Sequence, residues 1–244
     1  MFGTLALWYA AFPMLEGGSV QGAFGVVVRA HADVVVKRAL RDDCKHLLEH
    51  EFHVAKYLGC WQTFWQCTFF AEALTVEDGA LYMKDAGLDL LECRPHDART
   101  KGTVSVQITQ GLAFMHTLGV AHRDVKMENL CWDGTFVRYV DFATVTYKAW
   151  CVTRCGSKSY CAPEILEGKF PYNAICADMW SLGVTLVALW TDHLPFEVAH
   201  LSDTRFASFV VGSCDAFDHA DMTLEVRATV TAALKVVPAE RRIV

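Results

Sequence analysis

The string HRDVKMEN occupies residues 122–129, and two shorter strings follow it, DFA at 141–143 and APE at 162–164. The first two strings contain Asp124, Asn129 and Asp141, each of which, taken alone, is more often a surface or structural residue. Carboxylate and amide oxygens suit Mg²⁺, a hard ion that keeps phosphate and water among its ligands. The spaced set therefore predicts a site in which Asn129 and Asp141 hold Mg²⁺ beside the carboxylate of Asp124.

The three strings resemble the catalytic loop, the metal-binding turn and the end of the activation segment of eukaryotic protein kinases. The resemblance extends from about Gly22 to Arg241. It implies transfer of the γ-phosphate of ATP to a protein hydroxyl, with ATP and Mg²⁺ as cofactors. It also implies that Asp124 accepts or orients the proton of the attacking hydroxyl, and that Lys126 neutralises charge on the transferred phosphate.

The string GAFGVV at residues 22–27 resembles the glycine-rich loop whose backbone covers the phosphates of ATP. The resemblance assigns Gly22, Gly25 and Val27 to nucleotide binding. Without its context the string is a weak signal, because glycine-rich hairpin turns are common.

Lys37 ends a run of valines and matches the strand lysine that holds the α- and β-phosphates in the family. The competing interpretation is a lysine exposed at the end of a strand. Glu51, in the helix predicted to follow, is expected to pair with Lys37, and Glu49 is the alternative partner. Glu51 is preferred because only that register places the neighbouring apolar residues correctly.

Four further residues are assigned to nucleotide binding by the resemblance. Met83 falls at the gatekeeper position, and Lys84 and Ala86 lie in the hinge that follows it. Cys131, just past the catalytic loop, is the fourth. Asp89 either meets the ribose or a basic substrate residue, or else it is a solvated aspartate at the start of a helix.

Lys126 and Ser157 match the serine/threonine pattern of the family, and the string CGSKSYCAPE at 155–164 is most similar to the calmodulin-dependent and AMP-activated group, including checkpoint-type kinases. The implied partners are a protein substrate with a serine or threonine acceptor and an upstream activating kinase. Thr153 matches the position of an activating phosphothreonine. Arg123 is expected to bind that phosphate through charge-assisted hydrogen bonds.

Three residues are expected to be structural. Asp178 matches a buried aspartate that braces the catalytic loop of the family. Arg241 matches a late arginine that pairs with the glutamate of the APE string, Glu164.

The order of elements predicts an α+β protein with the bilobal protein-kinase fold, as a single kinase domain over residues 1–244. A small β-rich lobe with one helix is expected at about 1–83, a hinge at 84–87 and a larger helical lobe at 88–244, with the ATP cleft between the lobes. Strands are predicted at 26–28, 34–36, 61–68 and 80–83, and helices at 41–58, 104–118 and 177–190.

Composition narrows the class of protein. The chain has 244 residues, a net charge of −6 and no dense run of lysine or arginine, which argues against nucleic-acid and membrane partners. Its ten cysteines are scattered and are predicted to be reduced thiols. The apolar residues 1–15 lack a positive flank and are too short to span a bilayer, so a cytoplasmic or nuclear location is expected.

Three residues depart from the family pattern. Val20 stands at the first glycine of the phosphate loop, Val35 replaces a small residue near adenine, and Ala143 replaces the glycine after Phe142. Glycine there eases flipping of the turn, so altered switching is expected rather than lost chemistry. A pseudokinase that acts as a binding or scaffold module is the alternative, and a small-molecule phosphotransferase is a more remote one.

Overall fold

The computed structural model describes residues 20–21, 25–31, 33–213 and 221–243, which form two compact units. The first unit contains the described residues up to Lys56 together with Glu72–Asp85. The second contains Tyr57–Ala71 together with the described residues from Ala86 onward. One unit is built on a sheet and the other mainly on helices, which confirms the predicted α+β class.

A five-stranded antiparallel sheet forms most of the first unit, in the order β1-β2-β3-β5-β4. The strands are β1 (Val20–Gln21), β2 (Gly25–His31), β3 (Val34–Ala39), β4 (Ala73–Glu77) and β5 (Ala80–Lys84). The valine runs of β2 and β3 suit a half-buried pleated surface, because β-branched side chains pack well on it. The register places Val27 opposite Lys37 and Val35 opposite Met83.

Helix α1 (Lys45–Trp65) follows a 3₁₀ turn at Asp42–Cys44 and runs across the division between the two units. The predicted strand at 61–68 is therefore wrong for most of its length. Tyr57, Trp61 and Phe64 recur at helical spacing, and their rings meet edge to face at 6.5 and 6.2 Å between centroids. Such ring contacts along one helix face favour continuing the helix, and a β-rich composition alone does not reveal them.

The second unit consists of five helices with short strands among them, within the described ranges. The helices are α2 (Ala98–Thr117), α3 (Pro163–Leu166), α4 (Ala174–Thr191), α5 (Thr204–Val210) and α6 (Leu224–Ala233). The strands are β6 (Leu88–Asp89), β7 (Leu130–Trp132), β8 (Val137–Tyr139), β9 (Trp150–Cys151) and β10 (Tyr172–Asn173). They pair as β6-β7-β8 and β10-β9.

Helix α4 is the core of the second unit. It is apolar on all sides, and its 18 residues have a mean hydropathy of 1.5 with 78% of that window buried inside the protein. A helix that is hydrophobic all round and covered by protein is a core helix, as predicted for residues 177–190. Trp180 is fully buried and stacks on Phe196 at 5.9 Å between ring centroids.

All nine cysteines in the described part of the chain are free thiols, as predicted from their scattered spacing. Cys44, Cys151 and Cys161 are buried. They behave as small apolar side chains of the core.

Candidate active site

The catalytic-loop string is held in place by one aspartate of α4. The Asp178 carboxylate is 1% exposed and accepts the backbone N–H groups of His122 and Arg123, both at 2.7 Å. His116 Nε2 lies 3.0 Å from the same carboxylate. Arg123 has a φ of +68°, a conformation that costs energy for any residue but glycine. The two hydrogen bonds to Asp178 stabilise this strained loop, which is the bracing role expected of that residue.

Asp124, Lys126 and Ser157 form a polar cluster. Lys126 Nζ donates to Ser157 Oγ at 2.8 Å and lies 3.2 Å from Asp124 Oδ2. The Ser157 backbone N–H donates to Asp124 Oδ1 at 2.8 Å. The side chains of Lys126 and Asp124 are 19% and 14% exposed, so both reach solvent from a fixed position. A carboxylate and an ammonium so placed can receive a proton and neutralise an anion at one point.

Asn129 lies against Asp124 and beside Asp141. The Asn129 amide nitrogen donates to the Asp124 carbonyl at 2.8 Å and to Asp124 Oδ2 at 3.2 Å, which turns the amide oxygen away from Asp124. Val140 N–H donates to the Asn129 carbonyl at 3.0 Å, so Asp141, the next residue, is brought beside Asn129.

These oxygen donors fit a magnesium ion. Among the described residues no group of three or more His, Cys, Asp or Glu side chains could hold a metal alone. One amide oxygen and one carboxylate suit Mg²⁺ better, since this ion is usually bound through one or two protein oxygens plus phosphate and water. Asn129 and Asp141 are therefore the residues that would hold it.

The DFA string forms a 3₁₀ turn at Phe142–Thr144. Phe142 is fully buried, with its ring centroid 5.9 Å from that of His122 and 6.3 Å from that of Phe70. The left-handed residue here is Asp141, with a φ of +60°, and Ala143 adopts no such conformation. The alanine is therefore accommodated in this state of the turn without backbone strain.

In the first unit, Lys37 and Glu51 form a buried ion pair. Lys37 Nζ lies 2.8 Å from Glu51 Oε2, and the two side chains are 7% and 0% exposed. The partner is the one preferred from the sequence, whereas Glu49 is exposed. The alternative of a solvated strand-end lysine is excluded by the burial of Lys37.

The other residues assigned to the nucleotide lie at several places in the fold. Gly25 begins β2 where an added Cβ would stand 2.8 Å from the Arg38 carbonyl, so only glycine fits. Met83 and Lys84 end β5, and Met83 is 6% exposed. In the second unit, Ala86 is buried, and Cys131 of β7 pairs with Asp89 of β6. Gly22 lies outside the described residues.

Thr153 and Arg123 are in direct contact. Arg123 Nη2 donates to Thr153 Oγ1 at 3.3 Å and to the Thr153 carbonyl at 3.2 Å. Arg123 Nε donates to the Tyr172 hydroxyl at 3.3 Å. Burial raises the pKa of Tyr172 to about 12, although the Arg123 guanidinium acts against it. The tyrosine therefore stays a neutral partner beside the arginine.

A second buried ion pair joins α3 to the last described segment of the helical unit. Arg241 Nη1 and Nη2 donate to Glu164 Oε1 and Oε2, both at 2.7 Å. The guanidinium also lies 5.1 Å from the ring centroid of Trp180. The bidentate geometry gives the pair strength and direction, in the structural role expected for both residues.

Sequence reasoning missed several contributors to this site. Tyr172 contacts Arg123 of the catalytic loop and His116 contacts the bracing Asp178, each from far along the chain, and no local signal marks them. Gly156 is a third contributor, and its residue type was a usable sequence signal. It has a φ of +91°, and an added Cβ would lie 2.5 Å from the Arg123 carbonyl, so the position requires glycine. Asp89 Oδ1 accepts the N–H groups of Leu91 and Glu92 at 2.9 and 3.0 Å, so its side chain closes a turn after β6. No helix starts at this position, since α2 begins at Ala98, and the helix-start interpretation of Asp89 is therefore wrong.

The amino-acid sequence of this chain is similar to those of known proteins. Residues 21–226 match the family model described as the protein kinase domain. Serine/threonine-protein kinase ppk8 of Schizosaccharomyces pombe is 34% identical over 150 residues, which cover 53% of this chain and 29% of that protein.

Two further relatives match shorter segments. GIN4 of Saccharomyces cerevisiae, a serine/threonine-protein kinase, is 44% identical over 95 residues, covering 37% of this chain and 8% of that protein. CBL-interacting protein kinase 4 of Oryza sativa is 38% identical over 107 residues, covering 41% of this chain and 23% of that protein. The match thus spans less than a third of the length of each of these three relatives.

Proposed function

This chain belongs to the protein kinase family, and on that premise we propose that it transfers the γ-phosphate of ATP to serine and threonine hydroxyls of protein substrates. One observation carries the proposal: Asp124, Lys126 and Ser157 are joined by contacts of 2.8 to 3.2 Å. Asn129 joins the same cluster through Asp124. Phosphoryl transfer depends on positioning and charge neutralisation more than on covalent chemistry, and this cluster supplies both.

Each residue has a role in the proposed reaction. Asp124 Oδ2 orients the acceptor hydroxyl and receives its proton. Lys126 Nζ, held by Ser157, neutralises charge that develops on the transferred phosphate. Asn129 and Asp141 would hold Mg²⁺, which when bound neutralises the phosphate oxygens. Lys37, kept in place by Glu51, is assigned to the α- and β-phosphates.

The acceptor class follows from the same cluster. Lys126 and Ser157 are the pair that marks serine/threonine kinases in the family, and here they are bonded at 2.8 Å. All three relatives are named as protein kinases, two of them as serine/threonine kinases. We place the chain closest to the calmodulin-dependent and AMP-activated group.

Activity is proposed to rise when an upstream kinase phosphorylates Thr153. The contact of Arg123 Nη2 with Thr153 Oγ1 supports this, because a phosphate on that oxygen would meet a guanidinium already in place. The same arginine belongs to the strained loop next to Asp124, so the added charge would act directly on the catalytic segment.

The test is transfer of labelled γ-phosphate from Mg-ATP to a pooled library of serine and threonine peptides. We expect turnover by the natural chain and a loss of about 100-fold or more in Asp141→Asn, since that change removes a metal-binding carboxylate while keeping its shape. Asp42→Asn, at an aspartate of the sheet unit whose side chain is 93% exposed, is the matched control and should retain turnover. No transfer by the natural chain, even after treatment with an activating kinase, would reject the proposal and favour a pseudokinase.

A further inference from the structure

A cavity of about 460 Å³ lies in the helical unit beside the catalytic cluster. One of its walls is Ser157, whose hydroxyl accepts from Lys126 and whose N–H donates to Asp124. The cavity thus begins where the acceptor hydroxyl of a substrate would be oriented. A side chain close to the acceptor in the same peptide could reach it.

One wall of the cavity is apolar. Its lining includes Leu91, Met127, Ala188 and Leu194. Met127 is 1% exposed and Ala188 is 6% exposed, so the inner part is formed by core side chains. The other eight of the twelve lining residues carry polar or charged side chains, so the cavity combines an apolar inner wall with a polar rim, as side-chain subsites commonly do.

The acidic groups of the cavity already have partners within it. Arg94 Nη1 donates to Asp192 Oδ1 at 2.9 Å, and the Tyr160 hydroxyl lies 3.4 Å from Glu128 Oε2. Burial raises the pKa of Tyr160, Glu128 raises it further and Arg94 lowers it, so Arg94 also acts on the Tyr160–Glu128 contact. Lys158, the other cationic chain in the lining, is exposed.

We propose that this cavity receives an uncharged, mainly apolar side chain such as leucine or methionine from the substrate, and that Arg94 sets this preference by neutralising Asp192. The inference rests on the proposed kinase function and names a feature of its substrates. A cationic substrate side chain would have to displace Arg94 from Asp192, and an anionic one would have to displace Asp192 from Arg94. A neutral chain of matching length disturbs neither pair and covers the apolar wall.

Removing Arg94 should reverse the preference. Without its guanidinium, the Asp192 carboxylate would line the cavity without its ion-pair partner, in the same lining as Glu128. Arginine or lysine in the substrate would then supply the missing charge. Arg94 is therefore assigned as a specificity-determining residue that takes no part in the phosphate transfer itself.

The experiment compares the natural chain with Arg94→Ala, Arg94→Lys and the double variant Arg94→Ala/Asp192→Ala. Each is assayed on serine peptides in which every position flanking the acceptor is set in turn to Leu, Met, Gln, Glu or Arg. At one position we expect the natural chain and Arg94→Lys to prefer Leu over Arg about threefold or more, the range of a partly exposed charge pair. Arg94→Ala should shift the ratio toward Arg by a similar factor, and the double variant should shift it back.

The two proposals are separated by a second measurement. Binding of fluorescently labelled peptides, differing only by Leu or Arg at that position, is followed by anisotropy without ATP. No transfer together with an intact Leu preference in binding would reject the kinase activity but support the selectivity of the cavity. An unchanged Leu-to-Arg ratio in Arg94→Ala, with thermal unfolding equal to that of the natural chain, would overturn the assignment of Arg94.

Discussion

The two units hold their charged residues in different ways. In the sheet unit, Lys37 and Glu51 form one ion pair with side chains only 7% and 0% exposed. In the helical unit, Asp124 and Lys126 are partly exposed, and each shares several contacts with Ser157 or Asn129. The first arrangement is a charge pair removed from solvent, and the second is a partly exposed network that includes backbone groups.

This difference predicts how each arrangement fails. A buried pair that loses one member leaves a charge without compensation, so both stability and function suffer at once. A network with backbone donors keeps most of its geometry when one side chain changes. In the helical unit, a single substitution can therefore remove function without removing the fold. In the sheet unit, the two effects can be separated only by substituting both members of the pair.

The largest effect is expected from Lys37→Met. The change leaves the buried Glu51 carboxylate without its lysine, so we expect a loss of about 3 kcal/mol in the free energy of unfolding. Phosphate transfer should fall about 100-fold, as for other lost anion-stabilising groups. Urea unfolding and the peptide assay measure the two quantities.

The double variant Lys37→Met/Glu51→Leu is its control. It should regain most of the stability, because an apolar pair replaces the ion pair, while transfer stays low. If the double variant were as unstable as the single one, the stability of the sheet unit would not depend on this charge pair.

A smaller loss is expected from Asp178→Asn in the helical unit. The amide keeps one acceptor for the His122 and Arg123 N–H groups and loses the other, which costs about 2 kcal/mol. Transfer should fall as well, because Arg123 can relax from its left-handed conformation. Asp192→Asn, an exposed aspartate at the end of the same helix, should change the free energy of unfolding by less than about 0.5 kcal/mol. Equal effects of the two changes would mean that Asp178 does not brace the loop.

The smallest effect is expected from Thr153→Ala, which removes only the hydrogen bond from Arg123 Nη2 to the Thr153 hydroxyl. Before treatment with an activating kinase the variant should resemble the natural chain. After treatment the natural chain should gain about tenfold in transfer, the order of one charge-assisted hydrogen bond, and the variant should not. Thr146→Ala is the matched control and should keep the gain; a gain in Thr153→Ala would assign regulation to another residue.

The site residues that could be predicted from the sequence are mostly those that lie close together along the chain. Asp124, Lys126 and Asn129 belong to one string, so their spacing alone brings them together. Glu51 was separable from Glu49 because the helix register decides which one faces the sheet. These predictions rested on the resemblance to protein kinases, and local periodicity then chose between Glu49 and Glu51.

Other features depend on contacts that local sequence does not encode. Tyr172 lies 3.3 Å from Arg123 although 49 positions separate them, and His116 lies 3.0 Å from Asp178 although 62 positions separate them. The Arg94–Asp192 pair is separated by 98 positions, and neither residue stands in a motif. The strand predicted at 61–68 failed for a related reason, because aromatic residues suit strands by propensity while ring contacts here continue the helix.

The hydrogen bonds of Asp178 have a consequence for the synthesis of the protein. They join α4 to residues 55 and 56 positions earlier in the chain. A nascent chain that has reached residue 150 already contains Lys37, Asp124, Asn129 and Asp141, yet it lacks the carboxylate that holds Arg123 in its strained conformation. Because contacts of long sequence separation form late, the catalytic loop should become ordered only after α4 has left the ribosome, which delays activity until most of the helical unit has been made.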